Sequence, residues 1–418
     1  AVRTASLAWG LGDIGVGLMA WLNIIGIGED GMDGLSAIAR DLIETAEVII
    51  GGDRHHALSS NVTAERLKWP SPFDTMIAEI IRHKGRRLVI LVTGDPLWYS
   101  VGARILKSIP AKEITFHPQL SAFQWAAARM GWSLADTTTL TVHGRPAEQA
   151  IPYFAPCARL LLLTKGSETP CDLATLLTEH GYGESRLTVL GALGGAHESR
   201  LEGRARDWAA TPPDAPAFHT LAVECHAADD ATLVARGPGL PDDAFIHDGK
   251  MTKQEVRAAT LAKLWPRRGA MLWDIGTGCG SVAIEWIRAA RDAQAIGLEP
   301  NAARRELAAA NARKLGAPRL KLIGATAPDG LADLPAPDSI FIGGGLSEAT
   351  ALAGIAALPR HGRLVANAVT LESEATLIAL HKAHGGDLVK IAVSRAEPVG
   401  PFRGWRPLMT VTQWSFVK

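Results

Sequence analysis

Cysteine is scarce in this chain: four in 418 residues, at Cys157, Cys171, Cys225 and Cys279. None forms a C-x-x-C pair and the His and Cys spacings do not suggest a zinc site, so neither a metal nor a disulfide framework is expected. A reduced, cytoplasmic setting is the simplest reading. Tyrosine numbers only three and phenylalanine nine, and no aromatic run interleaved with basic residues offers a base-stacking surface. Neither charge is in excess, since 43 Lys and Arg balance 43 Asp and Glu. Nucleic-acid binders usually carry a basic surplus for phosphate contacts, so no nucleic-acid partner is expected, while a local basic pocket for a small anion stays compatible. No apolar run reaches the roughly 18–20 residues of a membrane helix, and no membrane partner is expected. Residues 1–20 hold Asp13 and four glycines without a compact apolar stretch. They read as a disordered or non-native extension, not a signal peptide.

What is present is ordinary for globular proteins: 47% apolar and 21% charged residues, enough for two or three domains with sizeable cores. Short apolar runs alternate with helical patterns. Strands are expected at 22–28, 47–51, 87–92, 115–118, 159–164, 187–191 and 219–224, with helices at 36–46 and 172–179. The polar, turn-rich stretch 227–243 reads as a linker between a first domain (21–226) and a second (244–418). The second domain repeats the alternation. A helix is expected at 252–264, with Thr252 as N-cap and Glu255 completing a capping box. Strands are expected at 270–275, 295–298, 320–324, 339–343, 362–366, 389–393 and 408–414, and helices at 281–290 and 301–315. Both halves are α/β with largely parallel sheets, and they do not resemble copies of each other.

Asp274-Ile275-Gly276-Thr277-Gly278-Cys279-Gly280-Ser281 sits where a strand turns into a helix. Glycines there let the backbone approach a nucleotide-like ligand at the helix N-terminus. Glu299, closing the next strand, suits ribose hydroxyls. Dinucleotide sites favour G-x-G-x-x-G, but Ser281 stands where the third glycine would be. The G-x-G-x-G form with a preceding acid is characteristic of class I methyltransferases, whose S-adenosylmethionine carries a sulfonium cation that acidic groups suit. Cys279 is a small loop residue with no His-based activation in view.

The resemblance then becomes specific. Gly239 to Phe245, Lys250 to Arg257 and Leu272 to Gly276 resemble the precorrin carbon-15 methyltransferase family. In that family a Met-Thr-Lys element, the glycine loop, the ribose acid and the residue after the third strand line the cofactor. The resemblance thus implies Thr252, Gly276, Thr277, Gly278, Cys279, Gly280, Glu299 and Ala325 as cofactor-binding. For Thr252 the helix-cap and cofactor readings stand side by side.

In the first domain, Gly26-Ile27-Gly28 and Gly94-Asp95-Pro96 are tight turns after strands, where ligands of open α/β sheets tend to bind. With Gly51 to His55, Gly94 to Gly102, Ser121 to Gln124 and His143 to Arg145, they resemble the class III tetrapyrrole methyltransferases. The resemblance implies a two-lobed fold with Gly28, Gly94, Asp95, Pro96, Val101, Ser121 and Ala122 at the cofactor. Relatives commonly carry Pro-Gly where this chain has Gln119-Leu120 before Ser121. Arg54, His143 and Arg145 are candidates for substrate carboxylates, against a reading of each as a solvated loop residue. His55-His56 lacks a spaced third ligand and is not read as a metal site.

Together the resemblances imply a two-lobed class III domain fused to a Rossmann-like class I domain. They imply methylation of an anionic precorrin ring at carbons 5 and 15 with loss of an acetate carboxyl, in cobalamin synthesis. Each domain would take one S-adenosylmethionine and no metal, and the chain would form a homo-oligomer. Arg395, Arg403 and Arg406 are further anchoring candidates, set against ordinary surface charge. The alternatives are a nucleic-acid methyltransferase, a nicotinamide dehydrogenase and a non-catalytic tetrapyrrole carrier.

Overall fold

The computed structural model describes residues 20–418 except 71, 73, 74 and 232; all but residue 20 of the expected extension lies outside them. Two units are resolved by chain contacts. The first ends at His226 and excludes 144–156 and 176–182, which group with 227–418 in the second.

The first unit holds two sheets. Strands β1 (Leu22–Ile27), β2 (Val48–Gly51), β3 (Glu65–Lys68), β4 (Leu88–Thr93) and β5 (Ile114–His117) form a parallel sheet of order β3-β2-β4-β1-β5. Its central strands are nearly all apolar because both faces are covered. Leu22, Ile24, Ile50, Leu88 and Ile90 enter one core, and the intervening Ile25, Ile27, Ile49, Val89 and Leu91 enter another. The helix Ala37–Glu44 lays Ala39 and Ile43, four apart, inward, with Ser36 as its N-cap.

The second sheet comprises β6 (Thr138–Thr141), β7 (Arg159–Leu163), β8 (Arg186–Gly191), β9 (Ser199–Arg204) and β10 (His219–Glu224), ordered β6-β7-β10-β8-β9. Only β6–β7 is parallel there; β10 runs antiparallel to β7 and β8, and β9 to β8. Within the first unit, the expectation of a largely parallel sheet therefore describes the first lobe and not the second. The short β8–β9 connection imposes a hairpin.

The second unit is built on β11 (Met271–Ile275), β12 (Gln294–Leu298), β13 (Leu320–Ile323), β14 (Ser339–Ile342), β15 (Arg363–Ala368), β16 (Asp387–Ile391) and β19 (Val411–Val417). Their order is β13-β12-β11-β14-β15-β19-β16, parallel except that β19 runs antiparallel to both neighbours. This is the Rossmann-like arrangement the second resemblance implies. Residue alternation again feeds two cores, with Trp273, Ile275, Ile340 and Ile342 on one face and Leu272, Phe341 and Val365 on the other. A hairpin, β17 (Ser394–Val399) with β18 (Phe402–Pro407), lies between β16 and β19.

One expected helix start is corrected. The helix spans Gln254–Leu264, its N-cap position is Lys253, and no side chain caps it. Thr252 lies outside the helix and its carbonyl accepts from Arg257 Nη1 at 2.6 Å. Glu255 does not close a capping box, because its carboxylate is drawn to Arg395 at 2.8 Å.

Candidate functional site

In the second unit the chain reverses at the C-terminal ends of β11 and β14, on opposite sides of the point where strand order switches. Open α/β sheets place their ligands there. Gly276, Gly278 and Gly280 all hold positive φ, at 72°, 57° and 86°, which is why this turn is written in glycine. Gly276 faces Gly344 backbone to backbone: a Cβ on Gly276 would stand 2.6 Å from Gly344 N and Cα. Lys250 passes on another side, its carbonyl 3.8 Å from where a Gly278 Cβ would be. The Met251–Thr252 segment is thus brought beside the loop.

Two buried carboxylates flank the turn. Asp274 Oδ2 accepts from Thr277 Oγ1 at 2.7 Å and from Ala283 N at 3.1 Å, while Oδ1 is buried without a partner. Glu299 accepts from Gly278 N at 3.0 Å and from Asn301 N at 3.1 Å. An orphaned buried carboxylate oxygen beside a glycine cradle fits a ligand that brings positive charge and hydrogen-bond donors. Those are the properties S-adenosylmethionine offers. Burial pushes Asp274 from an ordinary 3.8 up to about 6, the Thr277 and Ala283 hydrogen bonds pulling down and Glu299 adding to the rise.

That shift has a sign that can be checked. An acid raised on folding binds protons more tightly in the folded state. Its contribution is therefore present below 3.8 and is lost as pH climbs through about 6. Without ligand, the second unit is expected to lose stability over that window, and Asp274→Asn to flatten the slope. A cation that favours the ionised acid should bind more tightly as pH rises through the same range. Denaturant midpoints and ligand titrations at several pH values test both; a pH-independent midpoint in the unsubstituted protein would contradict the assignment.

Cys279 is 3% exposed, and burial pushes its thiol pKa up, which suits a loop residue and not a nucleophile. Ala325 follows β13 beside Gly330, where a Gly330 Cβ would meet Ala325 Cβ at 2.6 Å.

Three residues that sequence reasoning passed over hold this site together. Asn311, fully buried in the helix Ala302–Lys314, donates to Cys279 O and Ile246 O, each at 2.9 Å, and accepts from Ile246 N at 2.8 Å. It ties the glycine loop to the chain leading into Thr252. Arg257 and Glu285, 0% and 1% exposed, meet at 2.5 Å. Glu285 also accepts from Gly239 N at 2.6 Å and Leu240 N at 3.0 Å. Arg257 also bonds Asp242 at 3.1 Å and the carbonyls of Leu240 and Thr252. The signal available in sequence was a lone amide in an alanine-rich helix and an acid four residues into the helix after Gly280. Arg395 extends this network to Asp242 at 2.9 Å, and Arg406 pairs with Glu397 at 3.0 Å. Both side chains are engaged within the unit.

In the first unit, the ends of β1 and β4 meet. A Cβ on Gly94, whose φ is 61°, would lie 2.9 Å from Ser121 Cα, so Gly94 and Ser121 are brought together. Asp95 accepts from Leu97 N at 2.7 Å and fixes the turn; Pro96 is buried within it. Val101 is the N-cap residue of the short helix that follows. Ser121 N-caps the helix Ala122–Met130 and Gln124 Oε1 accepts from Ser121 N at 2.8 Å, a capping box. The Gln119-Leu120 departure preserves this cap, Gln119 Nε2 reaching Gly34 O.

Arg54 lies against this edge, ion-paired with Glu29 next to Gly28 and bonded to Thr93 next to Gly94. His143 is held on the turn after β6 by the Thr164 carbonyl at 3.2 Å. Arg145 groups with the second unit and pairs with Asp292 at 3.4 Å. The paired histidines are engaged singly, His55 Nδ1 accepting from Gly52 N at 3.1 Å and His56 Nε2 meeting Leu67 O at 3.1 Å.

Two family models match the chain: "Precorrin methyltransferase domain" over residues 243–418 and "Tetrapyrrole (Corrin/Porphyrin) Methylases" over 22–209. A precorrin-6Y C(5,15)-methyltransferase (decarboxylating) from Sinorhizobium sp is 44% identical, over 95% of this chain and 96% of its own. A protein of the same name from Mycobacterium tuberculosis (strain CDC 1551 / Oshkosh) is 39% identical, over 94% of this chain and 99% of its own. The solved C-terminal domain of precorrin-6Y C5,15-methyltransferase from Rhodobacter capsulatus is 48% identical, covers 44% of this chain and 100% of that one, and has a TM-score of 0.42.

Proposed function

The chain belongs to the decarboxylating precorrin-6Y C(5,15)-methyltransferase family, and from that premise we propose that it methylates a precorrin-6Y-type ring at carbons 5 and 15. It also removes the carboxyl of the acetate on carbon 12, as a step of cobalamin synthesis. The first unit acts on carbon 5; the second acts on carbon 15 and decarboxylates. The observation that carries this reading is that one chain folds two unlike ligand cradles, one at Gly94 and Ser121, the other at Gly276 to Gly280 between two buried acids.

S-adenosylmethionine, one in each unit, would supply an activated methyl group to an enamine-like ring carbon, the sulfur–methyl bond breaking as the carbon–carbon bond forms and the neutral thioether leaving. The protein's own part is positioning and exclusion of water. Asp274 and Glu299 offer carboxylate to the cationic and hydroxyl parts of the ligand, the glycine loop and Ala325 shape its walls, and Thr252 follows Lys250, whose carbonyl borders the loop. Gly28, Gly94 to Pro96, Val101, Ser121 and Ala122 do the same in the first unit, and Arg54 anchors a ring carboxylate there. His143 and Arg145 remain candidates for further carboxylates. On loss of carbon dioxide the conjugated ring takes the electron pair of the broken carbon–carbon bond, and a proton completes the methyl group left behind. No metal is needed as electron sink.

The balanced charge supports a reading without nucleic acid. Among the described residues, no helix is long and apolar enough to cross a membrane; we place the chain in the cytoplasm. The hairpin β17–β18 and its exit expose Val399, Phe402, Trp405 and Met409, at 62%, 77%, 77% and 68%. Exposed apolar side chains gathered on one hairpin mark an association surface, and we assign it to a second copy of the chain. Light scattering should then report more than one chain per particle, and fewer for Trp405→Glu.

Product formed from precorrin-6Y and methyl-labelled cofactor, read by mass spectrometry, tests the function. Two labelled methyl groups and the loss of one carbon dioxide are expected. One methyl group without that loss would remove the second unit's assignment.

A further inference from the structure

Arg54 lies in the first turn of the helix Asp53–Leu58 that follows β2, Glu29 follows β1, and Thr93 ends β4; these are neighbouring strands, so all three groups stand on one edge of the first sheet. The guanidinium is engaged at both terminal nitrogens and on one face. Nη1 is ion-paired with Glu29, Nη2 donates to Thr93 Oγ1, and the ring of Phe218 lies 4.2 Å from the guanidinium carbon. Phe218 stands just before β10 and Gly195 just after β8, in the other lobe. A Cβ on Gly195 would be 2.7 Å from that of Glu29. The pair therefore sits where the unit's two lobes meet. It is largely out of water, the Glu29 and Arg54 side chains being 19% and 28% exposed. Burial pushes the guanidinium down to about 10, still a cation, and the neighbouring His55 down to about 4, so the imidazole is neutral.

We propose that Glu29 is an internal stand-in for a substrate carboxylate. It occupies Arg54 in the free protein and gives way when an acidic side chain of the ring arrives. The inference rests on the functional reading above, with Arg54 as a carboxylate anchor. With both terminal nitrogens engaged and one face against Phe218, an incoming carboxylate competes with Glu29 for the guanidinium. Exchange of one carboxylate for another keeps the buried cation paired throughout. A neutral amide or ester makes a poor exchange, since it would leave Arg54 desolvated without a counter-charge while Glu29 competes for the same place. The pair thus sorts free-acid rings from amidated ones, discriminating through the competitor as well as through the contact.

The test uses the full chain, precorrin-6Y and its side-chain amide, with KM for carbon-5 methylation and equilibrium binding by absorbance titration. Glu29→Gln keeps the shape and removes the competing charge. Its KM and Kd for the free acid should fall about fivefold, with kcat within about twofold of the unsubstituted protein. The preference for acid over amide should narrow, because the competitor's share of the discrimination is gone. Glu29→Asp, too short to reach as well, should move the same way by less, and gives the answer if the glutamine variant folds poorly. Arg54→Met should raise KM about tenfold or more. A Glu29→Gln protein with unchanged or weakened ring binding overturns the proposal, leaving Glu29 as a support for Arg54. If the unsubstituted protein leaves carbon 5 unmethylated, it is the functional reading that fails, a result separate from the effect of Glu29.

Discussion

Gly276→Ala should abolish the second unit's chemistry and spare the first. The added Cβ would meet Gly344 N and Cα at 2.6 Å and Gly344 C at 2.9 Å. These are backbone atoms, held by the pairing of Ile275 with Ile342 in β11 and β14, so no side chain can swing aside. The φ of 72° adds strain for any residue with a Cβ, roughly 1–2 kcal/mol. The loop must therefore leave its place between Asp274 and Glu299. We expect carbon-15 methylation and decarboxylation to fall by about a hundredfold or more, which corresponds to roughly 2.7 kcal/mol. Product should accumulate with one labelled methyl group. Gly345→Ala is the control: its φ is 66°, but nothing lies within 4 Å of its Cβ, so it carries the strain without the collision. If both variants behave alike, close approach to Gly344 is not what the site requires.

Arg257→Met should cost the second unit more stability than any other single change at the site. Arg257 is wholly buried, and its loss strands Glu285, 1% exposed, without its cation. Breaking such a pair costs about 3–5 kcal/mol. Four backbone hydrogen bonds go with it or weaken: Leu240 O and Thr252 O lose their donor, and the Gly239 and Leu240 amides keep an acceptor whose charge is unmatched. The denaturation midpoint of the second unit should drop, and cofactor affinity with it, because Thr252 is released beside the glycine loop. The double variant Arg257→Met with Glu285→Leu should recover a good part of that stability, since no buried charge is then left alone. A double variant no more stable than Arg257→Met would show that the loss comes from packing and not from a stranded carboxylate.

These two sites differ in how far the sequence announces them. The glycine loop is legible because left-handed backbone at three alternate positions leaves little choice but glycine, and because an acid placed at the end of the next strand has few structural uses. The strands whose side chains alternate between two cores, such as 22–27 and 88–93, are legible for the same kind of reason. The Arg257–Glu285 pair is not. Both residues lie on helices, where charges normally face water, and their burial is decided by chain 28 residues apart. Thr252 was misleading because Thr-x-x-Glu matches a capping box locally; Arg395, 140 residues away, claims the glutamate instead. Strand β9, Ser-Arg-Leu-Glu-Gly-Arg, reads as loop because it is a polar edge held by one neighbour. Arg54 could be singled out from sequence as a carboxylate ligand, but its partner could not, since Glu29 lies on another strand.

The hydrogen bonds from Gly239 and Leu240 to Glu285 also bear on how the second unit can be cut free. The matched family region begins at residue 243. A fragment starting there would discard both amides and Asp242, and leave the inner acid of the first crossover helix with one donor fewer on each oxygen. The cut belongs upstream of Gly237, so that a stretch with the composition of a tether travels with the enzyme it helps to close.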